Sequence, residues 1–176
     1  MTGRPSGSPS ADRESPPASA PEVVFLDANA FFLPLSTGFP LEEEVRRWAA
    51  PARVVVWSGT IAELERLGRR SVPRAEAALA LARRFPVVES SGRGDQGLME
   101  LAARSNAWVV TSDRRFCERL VGEGVTVLFP RERARLALRK GRRPVSSSAA
   151  SRPRAMVKNR PPLDRSHRRR RGDAAR

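Results

Sequence analysis

Histidine and cysteine are almost missing from this chain, with one of each in 176 residues. A lone cysteine, Cys117, makes no intramolecular disulfide and no zinc site of clustered thiolates. The lone histidine, His167, lies in an arginine-rich stretch near the C-terminus, which removes Ser-His-Asp, Cys-His and histidine-based RNA cleavage from consideration. Long apolar runs are missing too: none approaches the ~18 residues that a membrane span needs. The N-terminus lacks the apolar core of a signal peptide. These absences predict a soluble, cytoplasmic protein that is not secreted. Any chemistry it performs falls to carboxylates.

What is present is charge, unevenly placed. The formal net charge is +14. Residues 130–176 hold 17 Lys and Arg against 3 Asp and Glu, whereas residues 1–129 hold 16 of each. The whole imbalance therefore sits in a C-terminal tail behind a neutral body. A solvated cationic tail attracts a polyanion, either nucleic acid or an anionic membrane surface. No aromatic anchor follows Gly141 and large apolar residues there are few and scattered, which argues against the membrane.

The organising stretch of the body is Val23-Val24-Phe25-Leu26-Asp27-Ala28-Asn29, an apolar run that ends at a carboxylate. Such a run reads as a strand of a parallel sheet, buried on both faces. The pattern returns three times. Val54-Val55-Val56-Trp57 leads to Glu63, Val87-Val88 leads to Asp95, and Trp108-Val109-Val110-Thr111 leads to Asp113. A fifth strand is expected over Val125 to Phe129.

Helical signals fall between these runs. Pro40 introduces a helix with Glu42, Glu43 and Glu44 in its first turn, and Leu41, Val45 and Trp48 at core spacing. Before it, Phe31 to Pro34 reads as a loop or short helix that Pro34 breaks. Thr60-Ile61-Ala62-Glu63 fits a capping box, with Ile61, Leu64 and Leu67 as its buried stripe. Further helices are expected from about Pro73 to Arg84, Asp95 to Arg104, and Asp113 to Val121, and a helical turn near Ala134 to Leu138. Alternation of this kind predicts an α/β fold of three layers around a parallel sheet of four to five strands. Residues 1–21 and 139–176 are rich in Ser, Pro, Gly or Arg and are expected to be disordered tails flanking a domain over 22–138.

Each acid alone has an ordinary reading: Asp27 in a surface turn, Glu63 in the capping box, Asp95 and Asp113 as helix caps. Their conjunction is more informative. In a parallel sheet, residues that follow strand ends share one edge, the edge where ligand sites of open α/β folds collect. Crowded carboxylates there repel, and a hard divalent cation such as Mg²⁺ or Mn²⁺ relieves the repulsion. The chain has no G-x-G-x-x-G after its first strand and no phosphate-binding Gly-Lys-Ser/Thr.

Taken together, these residues resemble the PIN-domain nucleases. Phe25-Leu26-Asp27-Ala28-Asn29 stands for the opening Asp motif and Ile61-Ala62-Glu63-Leu64 for the helix-borne acid. Gly94-Asp95-Gln96-Gly97-Leu98 stands where a third acid starts a helix, and Thr111-Ser112-Asp113 for the closing Thr-x-Asp. Trp57 departs from the proline often found before the second helix. Phe32-Leu33-Pro34 and the stretch to Gly38 look most like the archaeal and eukaryotic members that process small-subunit ribosomal RNA. The resemblance implies a PIN-like (Rossmann-like) domain and a metal-dependent endoribonuclease. It places Asp27, Glu63, Asp95 and Asp113 as the catalytic, metal-holding acids, with Asn29 and Ser112 as accessory groups. It implies single-stranded or loop RNA as substrate, ribosomal RNA or a pre-ribosomal particle as partner, and products with a 5′-phosphate. Arg142, Arg143, Arg168, Arg169, Arg170 and Arg171 of the tail are expected to hold RNA, with Arg114, Arg115 and Arg119 as the alternative contact. Two other readings stay open, a VapC-type toxin and a non-catalytic RNA-binding scaffold, and so does a homodimer.

Overall fold

The computed structural model describes residues 20–141, except Arg133 and the side chain of Glu132. Of the expected tails only residues 20, 21 and 139–141 are described, and Arg139 there ends the last strand of the sheet; Arg142, Arg143 and Arg168 to Arg171 lie outside the described residues. The first strand, β1 (Val23–Leu26), is followed by a 3-10 turn (Ala28–Phe31) and the short helix α1 (Phe32–Thr37). Then come α2 (Leu41–Ala49), β2 (Arg53–Trp57), α3 (Ser58–Arg69), α4 (Ala75–Ala82) and β3 (Val87–Val88). The remainder is α5 (Gly94–Arg104), β4 (Trp108–Val110), α6 (Arg114–Gly122), β5 (Val127–Glu132) and β6 (Arg135–Arg139).

The six strands form one sheet in the order β3-β2-β1-β4-β5-β6. The first five are parallel, with Leu26 opposite Val56 on one side and Val110 on the other. Alternate residues of each strand feed two cores. Val24, Leu26, Val56, Val110 and Leu128 pack against Phe31, Leu41, Val45, Trp48, Leu64, Ala78 and Ala82. Phe25, Val55, Trp57, Val109 and Val127 pack against Leu98, Ala102, Phe116, Cys117 and Leu120 on the opposite face. The three-layer α/β/α fold expected from the alternation of strands and helices is the one observed. Because β2 and β3 lie on one side of β1, and β4 and β5 on the other, the strand order reverses between β1 and β4. That reversal is the switch point at which clefts open in sheets of this type.

Three expectations need correction. Residues 134–138 do not make a helical turn. They run into β6, a sixth strand antiparallel to β5. Leu and Ala favour helix locally, but here the partner decides. The buried Glu44 carboxylate accepts the Leu136 N–H at 2.8 Å, and the Trp48 indole N–H donates to the Leu136 carbonyl at 3.0 Å. β5 correspondingly extends beyond Phe129 to Glu132. Second, Pro34 does not break its helix: it is the third residue of α1, where no intrahelical N–H is needed, and Gly38 at φ +68° ends the helix. Third, Thr60 does not cap. β2 runs directly into α3, which begins at Ser58, and Thr60 is buried within its first turn. Glu63 is thereby moved into the second turn and out of any capping role. Among the described residues, no helix is long and apolar enough to cross a membrane.

Candidate metal and RNA-cleavage site

Asp27 is the centre of the candidate site. It follows β1 at the switch point, its backbone N–H donates to the Val110 carbonyl of β4 at 3.0 Å, and only 5% of it is exposed. Its Oδ2 accepts the Thr111 hydroxyl at 2.7 Å and the Asn29 amide at 3.3 Å. Burial pushes the Asp27 carboxyl up to about 6; the Thr111 hydrogen bond opposes that rise, while the charge of Glu63 adds to it. Near neutral pH the group is an anion held partly against its preference by burial.

Thr111 is fully buried and does two things. It donates to Asp27 and accepts the Asp113 backbone N–H at 3.1 Å, so it ties the end of β4 to the end of β1. Asp113 then caps α6, its Oδ1 accepting the Phe116 N–H at 3.0 Å. Ser112 donates to the Asn29 carbonyl at 3.1 Å, which joins the two accessory residues across the switch point.

Glu63, on α3, is half-buried. Burial pushes its carboxyl up, Arg66 lowers it, and the charge of Asp95 raises it again. Asp95 lies in the first turn of α5, a helix that packs on α3. It is not the cap, since Arg93 occupies that position, and it pairs with Arg119 of α6 at 3.0 Å. The charges of Asp27, Glu63 and Asp95 therefore act on one another in sequence, while Asp113 is joined to Asp27 through Thr111. Among the described residues no three acidic, Cys or His side chains are gathered tightly enough to grip an ion as they stand.

Trp57, at the end of β2, stands where the resemblance led to a proline. Trp57, fully buried, donates its indole N–H to the Ser90 carbonyl at 3.1 Å. Its ring lies where a side chain on Gly59 or Gly97 would be, and Gly92, at φ +133°, lies against Gly97. The glycines let the indole sit under the first turn of α5 and so fix the height at which Asp95 enters.

A family model described as a PIN like domain matches residues 24–133. The chain belongs to the PIN-like domain family. The four acidic motifs read from the sequence fall inside that match. The solved structure of the PIN domain endonuclease Utp24 is similar in fold, with a TM-score of 0.56 and 23% identity. The likeness covers 66% of this chain and 91% of that one. No curated protein is similar enough to the chain to count as a relative. Sequence reading of this PIN-like domain overlooked Thr111 as a positioning group, although its place at the end of an apolar strand was the available signal. Arg66, the partner of Glu63, gave no signal, and Arg119, expected as an RNA contact, is the ion-pair partner of Asp95.

Proposed function

We propose that this PIN-like domain is a metal-dependent endoribonuclease acting on single-stranded or loop RNA, in the cytoplasm and in ribosomal RNA processing. The observation that carries this reading is Asp27: a buried carboxylate at the switch point, pushed up to about 6, with Glu63 adding unfavourable charge. The donor set fits Mg²⁺ or Mn²⁺, being oxygen only and short of positive charge at its centre. Mg²⁺ usually takes one or two carboxylates and keeps several waters, so a tight three-carboxylate grip is not required.

Asp27 would hold the ion directly, with Glu63, Asp95 and Asp113 completing its surroundings through oxygen or water. An ion so bound supplies a water of lowered pKa and offsets the charge that develops on the phosphoryl and leaving oxygens. The remaining tasks belong to the chain. Thr111 orients the Asp27 carboxylate by fixing Oδ2, so the anion does not reorganise when substrate arrives. The Asn29 amide, exposed beside Oδ2, is placed to orient a water or a phosphate oxygen. The ribosomal RNA assignment rests on the resemblance of the motif around Phe32 to Gly38, and the affinity for RNA on the basic composition after Phe129.

A non-catalytic RNA-binding scaffold is the second reading. It is favoured by the ion pairs that already occupy Glu63 and Asp95. A circular single-stranded RNA separates the two readings because it offers no ends to an exonuclease. The expected result is linearisation by wild type in Mn²⁺, leaving a 5′-phosphate, and none in EDTA or with Asp27→Asn or Asp113→Asn. Tight RNA binding with no metal-dependent cutting by wild type would select the scaffold.

A further inference from the structure

Two of the four candidate acids are each answered by an arginine. Arg119 of α6 reaches Asp95 at 3.0 Å, with the two side chains 47% and 46% exposed. Arg66 of α3 reaches Glu63 at 3.6 Å, with 48% and 33% exposed. Neither contact is a two-pronged fork of the kind Arg47 makes on Glu44, where Nε and Nη2 each bond a different oxygen at 3.0 Å. The Arg119 pair uses one nitrogen, and the Arg66 pair is too long for a hydrogen bond. Half-exposed single-contact pairs of this sort contribute little to stability, so they exchange partners readily. Together the two guanidinium groups bring two positive charges to the acids, the charge of one divalent cation.

We propose that Arg66 and Arg119 are displaceable counter-ions of the candidate site that pass to RNA phosphates when a divalent cation takes over Glu63 and Asp95. This rests on the metal-dependent reading above and adds a coupling to it. The arginines come from opposite layers, Arg66 on α3, which packs on one face of the sheet, and Arg119 on α6, which packs on the other. Arg119 also lies over the Phe116 ring, 5.8 Å from its centroid, which gives the guanidinium an apolar floor when its carboxylate is withdrawn. In the metal-free state the arginines are engaged and RNA gains little from the site. Once the acids are neutralised by a cation, two phosphate-binding forks become available at the point of cleavage. Metal and RNA then favour each other's binding by the same factor, since coupling between two ligands is reciprocal.

The test uses the full chain as wild type, Arg66→Gln, Arg119→Gln and the double variant. Two equilibria are measured: Mn²⁺ affinity without RNA, and affinity for a short phosphorothioate RNA, which resists hydrolysis, in EDTA and in saturating Mn²⁺. Each arginine competes with the ion for a carboxylate, so each single variant should bind Mn²⁺ about two- to five-fold more tightly than wild type. Wild type should bind RNA more tightly in Mn²⁺ than in EDTA, and the double variant should lose most of that gain. The ratio cancels the contribution of the basic tail, which is present throughout. Unchanged or weaker Mn²⁺ affinity in the double variant overturns the counter-ion role. An unchanged metal-dependent gain in RNA affinity overturns the transfer to phosphate. A wild type that binds no Mn²⁺ sinks the metal-dependent reading and this coupling with it.

Discussion

At the scale of single residues, Asp27 should control how stability responds to pH. A carboxyl that titrates near 3.8 in the unfolded chain and at about 6 in the fold binds more protons when folded, over the interval between those values. Stability from this group therefore falls as pH rises through that interval and stays low above it. The full difference is on the order of 3 kcal/mol, an upper figure because Asn in its place would not recover every contact. Asp27→Asn should accordingly be more stable than wild type at pH 7.5 without metal, by about 1–2 kcal/mol in denaturant unfolding. The advantage should disappear below about pH 4. A variant that is less stable than wild type at pH 7.5, or equally better at all pH values, would contradict the strained carboxylate. Asp27 itself was legible in the sequence, since an acid ending an apolar run is a local signal. Its strain was not. The group that moderates it, Thr111, is 84 residues away, and only the β1–β4 pairing brings the two together.

At the scale of elements, α5 is positioned by what lies beneath it. A methyl group on Gly97 would stand 2.5 Å from the Trp57 ring and 2.9 Å from the Gly92 carbonyl carbon. Both are too close for either to remain in place. Gly97→Ala should cost about 1–3 kcal/mol by overpacking, and Trp57→Phe, which removes the overlapped ring atoms, should recover part of that loss in the double variant. The coupling between the two is read from the four unfolding free energies. Simple additivity would mean that the indole does not set the helix. The element pattern was largely readable because strands buried on both faces carry continuous aliphatic runs and the helices between them carry core spacing. It failed at β6 for a definite reason. Arg135-Leu136-Ala137-Leu138-Arg139 has the composition of a helix, but the buried Glu44 carboxylate, 92 residues away, fixes the Leu136 backbone as a strand edge. A buried acid that accepts a backbone N–H as well as Arg47 and Arg135 leaves no trace in local periodicity.

At the scale of the whole molecule, the neutral body and the basic segment after it should separate on truncation. The described fold ends with β6 and Gly141, and among the described residues the last buried core side chain is Leu136. Removing residues 142–176 should leave the melting temperature within a few degrees of wild type. It should also flatten the salt dependence of RNA affinity by several units, at roughly 0.7 per lost phosphate contact on a single strand. An unchanged slope would move RNA binding onto the body. The charge partition was plain in the sequence because it needs only counting, whereas the pairing of Glu63 with Arg66 and Asp95 with Arg119 needed the fold. The claim on which the rest depends is that four acids from four strand ends act as one cation site. Mn²⁺ binding by electron paramagnetic resonance tests it, with wild type set beside Asp27→Asn, Glu63→Gln, Asp95→Asn and Asp113→Asn. Groups that merely support a metal ligand are worth about 10- to 100-fold in affinity, so each substitution should weaken binding by about tenfold or more. Mn²⁺ bound equally well by all five proteins would contradict a shared site.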